Sequence, residues 1–258
     1  MFLQLGKSQE LWFNRDCTWC EEEYSLIGTL MGLAVYNAVL LDVRFPLAVY
    51  KKLLGLPLCL NDLEDLDPEL RHGLQALLDY DKDDVEDVFC RTFEITWDDF
   101  GQQRSHELRP GGAETAVTAA NKEEYVAGYC AWLLTGSVAA QFDSFFRGFN
   151  RVMGRALGSL ALLRAEELEL LVAGQPHLDF RELEKVAKYE GGYSVEHPTV
   201  KQLWKVVLSM DLDTQRKFLM FVTGTMKAPV GGLGKLRFVV QRAGPDSMQL
   251  PTSHTCFK

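Results

Sequence analysis

Residues 24–41 read YSLIGTLMGLAVYNAVLL, 18 positions without a charge. The length alone would suit a membrane span. No basic cluster flanks it closely, however, and Thr29 and Asn37 sit inside it. The stretch is therefore expected to be a buried core helix, apolar nearly all round. Gly28 and Gly32 stand four residues apart within it.

Outward from that helix, the pattern stays mainly helical. Pro46 suits the first turn of a second helix that ends near Gly55. Leu63, Leu66, Leu70, Leu74, Leu77 and Leu78 keep a 3.6-residue period over 61–80. The acidic run 79–87 reads as a solvated turn. Residues 88–97 (VFCRTFEITW) alternate as a strand, with 106–108 as its partner. Asn121 followed by Glu124 predicts a capped helix start, with Tyr125, Tyr129 and Trp132 along one side. Helices are expected over 137–153 and 165–173, then near 180–189, 199–209 and 213–222, before a strand at 236–241 (LRFVVQ). Helices followed by a smaller mixed portion indicate an α+β fold with two lobes. The Gly174–Pro176 stretch separates residues 1–174 from 177–258.

The chain has 258 residues, 27 basic and 36 acidic, for a net charge of −9. Its composition is that of a globular protein. Net acidity argues against a nucleic-acid partner, because phosphate neutralisation needs a basic face. The N-terminus carries no secretory signal pattern, so a cytoplasmic or nuclear setting with reduced thiols is expected. Cys17 and Cys20 form a CxxC without a second ligand pair, and the spacing is read as chance.

Gly231-Gly232-Leu233-Gly234-Lys235 falls short of a phosphate loop. Pro229 stands where the first glycine belongs, and Leu236 follows the lysine. A tight glycine turn is expected there. The five histidines are scattered and suggest no metal site. No cofactor is expected.

The closing segment Leu250–Lys258 (LPTSHTCFK) is different. In an extended chain, His254 and Cys256 project to one side. The imidazole would then polarise the thiol, and a thiolate is a strong nucleophile. The plain alternative is a buried, inert cysteine. Tyr125, Tyr129 and Trp132 likewise read as core or as one wall of an apolar groove with Leu70, Leu74 and Phe89.

LPTSHTCF (250–257) resembles the active-site stretch of HECT-type ubiquitin ligases, and within them the Angelman-syndrome ligase subfamily. Residues 25–55 (SLIGTLMGLAVYNAVLLDVRFPLAVYKKLLG) resemble the early helices of that family's large lobe. QFDSFFRGFNRVM (141–153), LDFRELEKVAKYEGGYSVEHPTVKQLW (178–204) and FVTGTMKAPVGGLGKL (221–236) extend the likeness along the chain.

The resemblance implies a two-lobe HECT domain, with a mostly helical large lobe carrying a small β element and a smaller α/β lobe. It implies partners: a ubiquitin-conjugating enzyme, ubiquitin and protein substrates. Cys256 would be the thioester nucleophile, flanked by His254 and Thr255. Leu70, Leu74, Phe89, Tyr125 and Tyr129 would line the docking groove for the conjugating enzyme. Arg91 stands where relatives carry an aliphatic residue. Gly174–Pro176 falls near the family's hinge.

By the same comparison the chain begins inside the large lobe, without its first helices, and stops at Lys258, soon after Cys256, where the family continues. The alternative expectation is thus an inactive fragment that binds the conjugating enzyme without ligating.

Overall fold

A computed structural model describes residues 1–5, 9–17, 20–99, 101–245 and 249–254, leaving aside the side chains of 157 and 159. The apolar stretch forms most of α1 (Glu21–Tyr36), which begins earlier and ends sooner than its hydropathy suggests. Glu21, Glu22 and Glu23 favour the first turn through the helix dipole. Ala38, at φ 53°, breaks the helix direction. Only one side of α1 is buried: Tyr24 and Met31 are each 1% exposed, whereas Leu26 is 58% and Tyr36 is 73% exposed. The expectation of burial all round is therefore corrected. Among the described residues no helix is long and apolar enough to cross a membrane.

By contact the chain divides into two units, Met1–Leu33 with Arg44–Glu166, and Ala34–Val43 with Glu167–Lys258. The last change of unit, between Glu166 and Glu167, lies ahead of the Gly174–Pro176 stretch.

In the larger unit, β1 (Phe2–Leu3) pairs antiparallel with β2 (Trp12–Phe13). This small hairpin delivers Phe2 and Phe13 to an aromatic cluster. Phe13 has Tyr24 at 5.7 Å, Phe142 at 5.7 Å and Phe145 at 5.4 Å, with ring planes tilted or edge-on. Offset and T-shaped pairs of this kind add to the hydrophobic gain. Burial pushes the Tyr24 phenol up to about 12. Its hydroxyl donates to the Met1 carbonyl.

The chain continues through α2 (Leu47–Leu53), α3 (Pro68–Asp79) and α4 (Val85–Phe89). Asp67 caps α3 by accepting the Leu70 N–H at 3.0 Å, and Pro68 occupies its first turn. The α4 helix corrects two readings, the solvated turn at 79–87 and a strand from 88. Fully buried Val85 anchors it. Cys90, at φ 48°, then reverses the chain into β3 (Glu94–Asp99). That strand pairs antiparallel with β4 (Gln102–Glu107), placing Ile95 opposite His106.

Next come α5 (Lys122–Leu134), α6 (Ala139–Met153) and the short α7 (Leu157–Leu160). No capping box starts α5. The Asn121 side chain turns back to accept the Thr118 N–H at 2.7 Å, and Glu124 pairs with Arg109 at 2.9 Å. Phe142, Phe145, Phe149 and Met153 form the buried stripe of α6, as their spacing predicts.

The α1–α6 crossing is closed backbone to backbone. A Cβ on Gly28 would collide with the Phe145 carbonyl, and one on Gly148 with the Ser25 carbonyl. Thr29 Oγ1 bridges the crossing, donating to Ser25 O at 2.9 Å and Gly148 O at 3.2 Å. Near it, Cys17 and Cys20 are joined in a disulfide. This overturns the reading of chance spacing: both residues are buried, with Cα atoms 6.1 Å apart. Buried Gln141 donates to Arg15 O at 3.0 Å and Cys17 O at 3.3 Å, holding that segment on α6.

The smaller unit contains α8 (Ala165–Ala173), α9 (Phe180–Val186), β5 (Lys188–Glu190), α10 (Pro198–Ser209), α11 (Leu212–Thr223) and β6 (Val239–Gln241). Helix α8 straddles the division and lies in this unit from Glu167. Residues 188–190 form a strand rather than the end of a helix, pairing parallel with β6. The unit has its own core, built on Phe180, Leu183, Trp204, Val207 and Leu219. Trp204 Nε1 donates to the Tyr189 hydroxyl at 2.8 Å, tying α10 to β5. Asp179, His197 and Asp211 cap α9, α10 and α11.

Two glycine predictions follow from the space around each. Gly28→Ala or Gly148→Ala lowers stability by about 1–3 kcal/mol or more, because backbone must move. Gly73→Ala, in open space on α3, is expected to raise it by about 0.5–1 kcal/mol. Urea denaturation midpoints measure both.

Lys52 generates a third prediction. Its ammonium donates to Leu134 O at 2.9 Å and lies 4.5 Å over the Phe142 ring. Burial pulls its pKa from the usual 10.5 down to about 8. Between those pH values the unfolded chain holds one more proton, so this group makes stability rise as pH climbs from about 8 toward 10.5. Lys52→Met should flatten that rise in urea midpoints compared at pH 7.5 and 9.5.

Candidate docking face and active-site segment

Helices α3 and α5 pack together. Lys122 fastens the start of α5 to the end of α3, donating to Leu78 O and Tyr80 O at 2.6 Å each. On this support the five groove candidates divide by exposure. Leu74 and Tyr125 are core residues, 5% and 3% exposed. Leu70, Phe89 and Tyr129 are only partly buried and face outward in part.

An aromatic chain joins two of them. Tyr125 meets Phe93 at 5.5 Å and Tyr129 at 5.9 Å, both edge-on. Phe89 instead leans edge-on against Tyr80 at 5.4 Å, at the end of α3. Burial raises the pKa of Tyr125 and pushes Tyr129 up to about 12, against the opposing charge of Arg91. Arg91 is thus an electrostatic neighbour of both tyrosines, and it is exposed.

Trp132 lies on the same side of α5 as Tyr125 and Tyr129 but meets different rings. It turns to the β3–β4 hairpin, stacking on His106 at 5.1 Å and meeting Trp97 at 5.2 Å. The Arg15 guanidinium lies 4.7 Å from the Trp97 ring and 5.0 Å from that of Trp132. Both distances are within cation–π reach.

Sequence reasoning missed Val88, 53% exposed on α4 beside Phe89. Reading 88–97 as a strand hid it. The acidic residues of 84–87 beside an apolar pair are the signal that would have indicated a helix start.

In the smaller unit, the 229–236 segment makes the expected glycine turn, with Gly231 at φ 89° and Gly232 at φ 88°. The Glu182 carboxylate stands directly against Gly232. An acid there repels an anion, which removes the phosphate-loop reading on charge as well as spacing.

Beyond this turn, residues 249–254 are described. Ser253 Oγ donates to Phe221 O at 2.5 Å, holding the segment to α11. His254 is exposed. Thr255 and Cys256 lie outside the described residues. Among the described residues no cluster of three or more His, Cys, Asp or Glu is arranged to hold a metal ion.

Replacing Lys122 by Met keeps the stem and deletes two charge-assisted hydrogen bonds. We expect a loss of about 1.5–3 kcal/mol, measured by urea denaturation.

Comparison with known proteins places this geometry in a lineage. Residues 1–258 match the family described as HECT-domain (ubiquitin-transferase). The human "Probable E3 ubiquitin-protein ligase HERC4" is 40% identical over 257 residues, covering 100% of this chain and 24% of that protein. "Probable E3 ubiquitin-protein ligase HECTD2" from Pongo abelii is 41% identical over 271 residues, covering 100% of this chain and 34% of that protein. "Probable E3 ubiquitin-protein ligase HUL4" from Eremothecium gossypii is 39% identical over 241 residues, covering 92% and 28%. The chain thus spans about a quarter to a third of the length of the curated relatives it matches. On an end-to-end family match and these identities, the chain belongs to the HECT-domain (ubiquitin-transferase) family.

Proposed function

We propose that this chain is the ubiquitin-transferring part of a HECT-type ligase, with Cys256 as the acceptor of ubiquitin. The observation that carries the reading is LPTSHTCF at 250–257, within a chain that matches the family from end to end. A charged ubiquitin-conjugating enzyme docks on the face formed by Leu70, Phe89 and Tyr129, supported from beneath by Leu74 and Tyr125. The partly exposed aromatics suit insertion of an apolar side chain from the partner.

In the first step the Cys256 thiolate attacks the thioester carbonyl of ubiquitin's C-terminus. The tetrahedral adduct collapses, the conjugating enzyme's thiolate leaves, and a new thioester remains on Cys256. One thioester replaces another, so the step is close to neutral and the protein's contribution is positioning. In the second step a deprotonated substrate lysine attacks that thioester. An isopeptide forms, the Cys256 thiolate departs, and the proton lost by the attacking nitrogen passes to that thiolate or to solvent. His254 and Thr255 flank the nucleophile.

The branch within the family rests on the 250–257 segment alone, which resembles the Angelman-syndrome subfamily. The HERC4 and HECTD2 relatives, at 40% and 41% identity over the whole chain, weigh toward the family at large rather than toward that branch. A cytoplasmic or nuclear setting belongs to the same proposal. Cys59, Cys90 and Cys130 are free, as such a compartment favours, whereas the Cys17–Cys20 disulfide departs from the expected reduced thiols.

A single-turnover assay tests the reading. Ubiquitin-charged conjugating enzyme is mixed with the chain, and the products are separated with and without thiol. A thiol-sensitive ubiquitin adduct is expected, and Cys256→Ala should abolish it. If that adduct is missing while the conjugating enzyme still binds, the docking-only fragment is the correct description. Phe89→Ala should weaken binding of the conjugating enzyme by about tenfold or more, with little change in melting temperature.

A further inference from the structure

A half-open cleft of about 460 Å³ lies in the larger unit, between the 58–60 segment, the end of α3 and α5. That volume falls within the range of small-molecule sites, roughly 300–1,000 Å³. Its walls are mainly apolar, with Leu58, Leu60, Leu78, Val126 and Ala127 among them. At 100° per residue, Ala127 and Cys130 lie on the side of α5 away from Tyr125 and Tyr129, with Val126 between the two sides. The cleft shares no lining residue with the proposed docking face.

Two thiols border it, and they differ. Cys130 is 5% exposed, and burial pushes its pKa up to about 11, which keeps it protonated and inert. Cys59 is free and exposed. Its backbone is fixed: the Cys59 N–H donates to Asp62 Oδ2 at 2.8 Å, and Asp62 pairs with Lys51 at 2.6 Å. Lys51 is also an electrostatic neighbour of Cys59. Cys90, equally free and exposed, borders no part of this cleft. Its Sγ donates to Asp87 O at 3.2 Å.

A soft nucleophile held at an apolar cleft selects a ligand with two matching parts, an electrophilic carbon and a hydrocarbon tail. We propose that Cys59 is a modification site for small apolar α,β-unsaturated carbonyl compounds, whose tail occupies the cleft while the β-carbon meets the sulfur. In the reaction the sulfur–carbon bond forms at the β-carbon and the carbon–carbon π bond opens. The thiol's proton ends on the α-carbon. The product is a thioether, and no oxidant or second reactant is needed.

The test compares trans-2-nonenal with acrolein, which carries the same reactive group without a tail. The intact chain is treated with each, reduced with borohydride and digested. Labelling at Cys59 and Cys90 is then counted by mass spectrometry. The Cys59-to-Cys90 ratio should be about tenfold or more higher with nonenal than with acrolein, the effect of burying about two methylenes. Ala127→Leu, which narrows the cleft, should bring the nonenal ratio down toward the acrolein value while leaving Cys90 unchanged. Labelling at Cys130 reports unfolding, and a variant that shows it is replaced by Ala131→Leu. Equal ratios for the two aldehydes would overturn the proposal. So would an excess that survives narrowing in a folded variant, because the cleft would then play no part.

Discussion

Two glycines facing each other, Gly28 on α1 and Gly148 on α6, allow the larger unit to close. Neither position has room for a single carbon beyond the backbone. The close approach lets Thr29 bridge the helices. It also brings Tyr24, Phe142 and Phe145 within ring contact of Phe13. The hairpin that carries Phe13 is only two residues long on each side. A ladder so short has little stability of its own, so it depends on the aromatic cluster that the crossing creates.

The proposed docking face is organised by a different device. Lys122 reaches two carbonyls at the end of α3, in the last turn, where helical carbonyls lack partners within their own helix. Their partial negative charge favours a cation there. With α3 and α5 so joined, Leu74 and Tyr125 form the floor and Leu70, Phe89 and Tyr129 the surface. The same helix carries Cys130 and Ala127 on its opposite side, where the thiol-bordered cleft opens. One helix therefore separates two surfaces of different chemistry, one aromatic and one aliphatic with sulfur.

Much of the helical framework was legible from periodicity. The α6 stripe of Phe142, Phe145, Phe149 and Met153 is buried as its spacing requires, and α8, α10 and α11 fall where their patterns lie. The readings that failed were local choices decided by distant partners. Helix α4 is short, and Val85 commits it by packing into the core. Lys188–Glu190 leaves the helical pattern because β6, far along the chain, offers a parallel ladder. Asn121 carries the oxygen acceptor of a helix cap, yet its side chain accepts from Thr118 N–H and donates to Ala116 O instead. The groove candidates were legible through family resemblance, and Trp132 shares the side of α5 expected of it, but three aromatics on one helix do not announce which neighbour each will meet.

The sequence by itself determined the helical periods, the family and the nucleophile candidate. These depend on residue type and spacing along a single segment, and no partner can change them. Tertiary structure alone decided which face of α1 is buried, which groove residues remain exposed, and that Cys17 and Cys20 are joined. It alone decided, too, that Cys59 and Cys130 border a common cleft. Each of these depends on atoms distant in sequence coming within a few ångströms, and side-chain volume and hydrogen-bond geometry act only once the chain has folded.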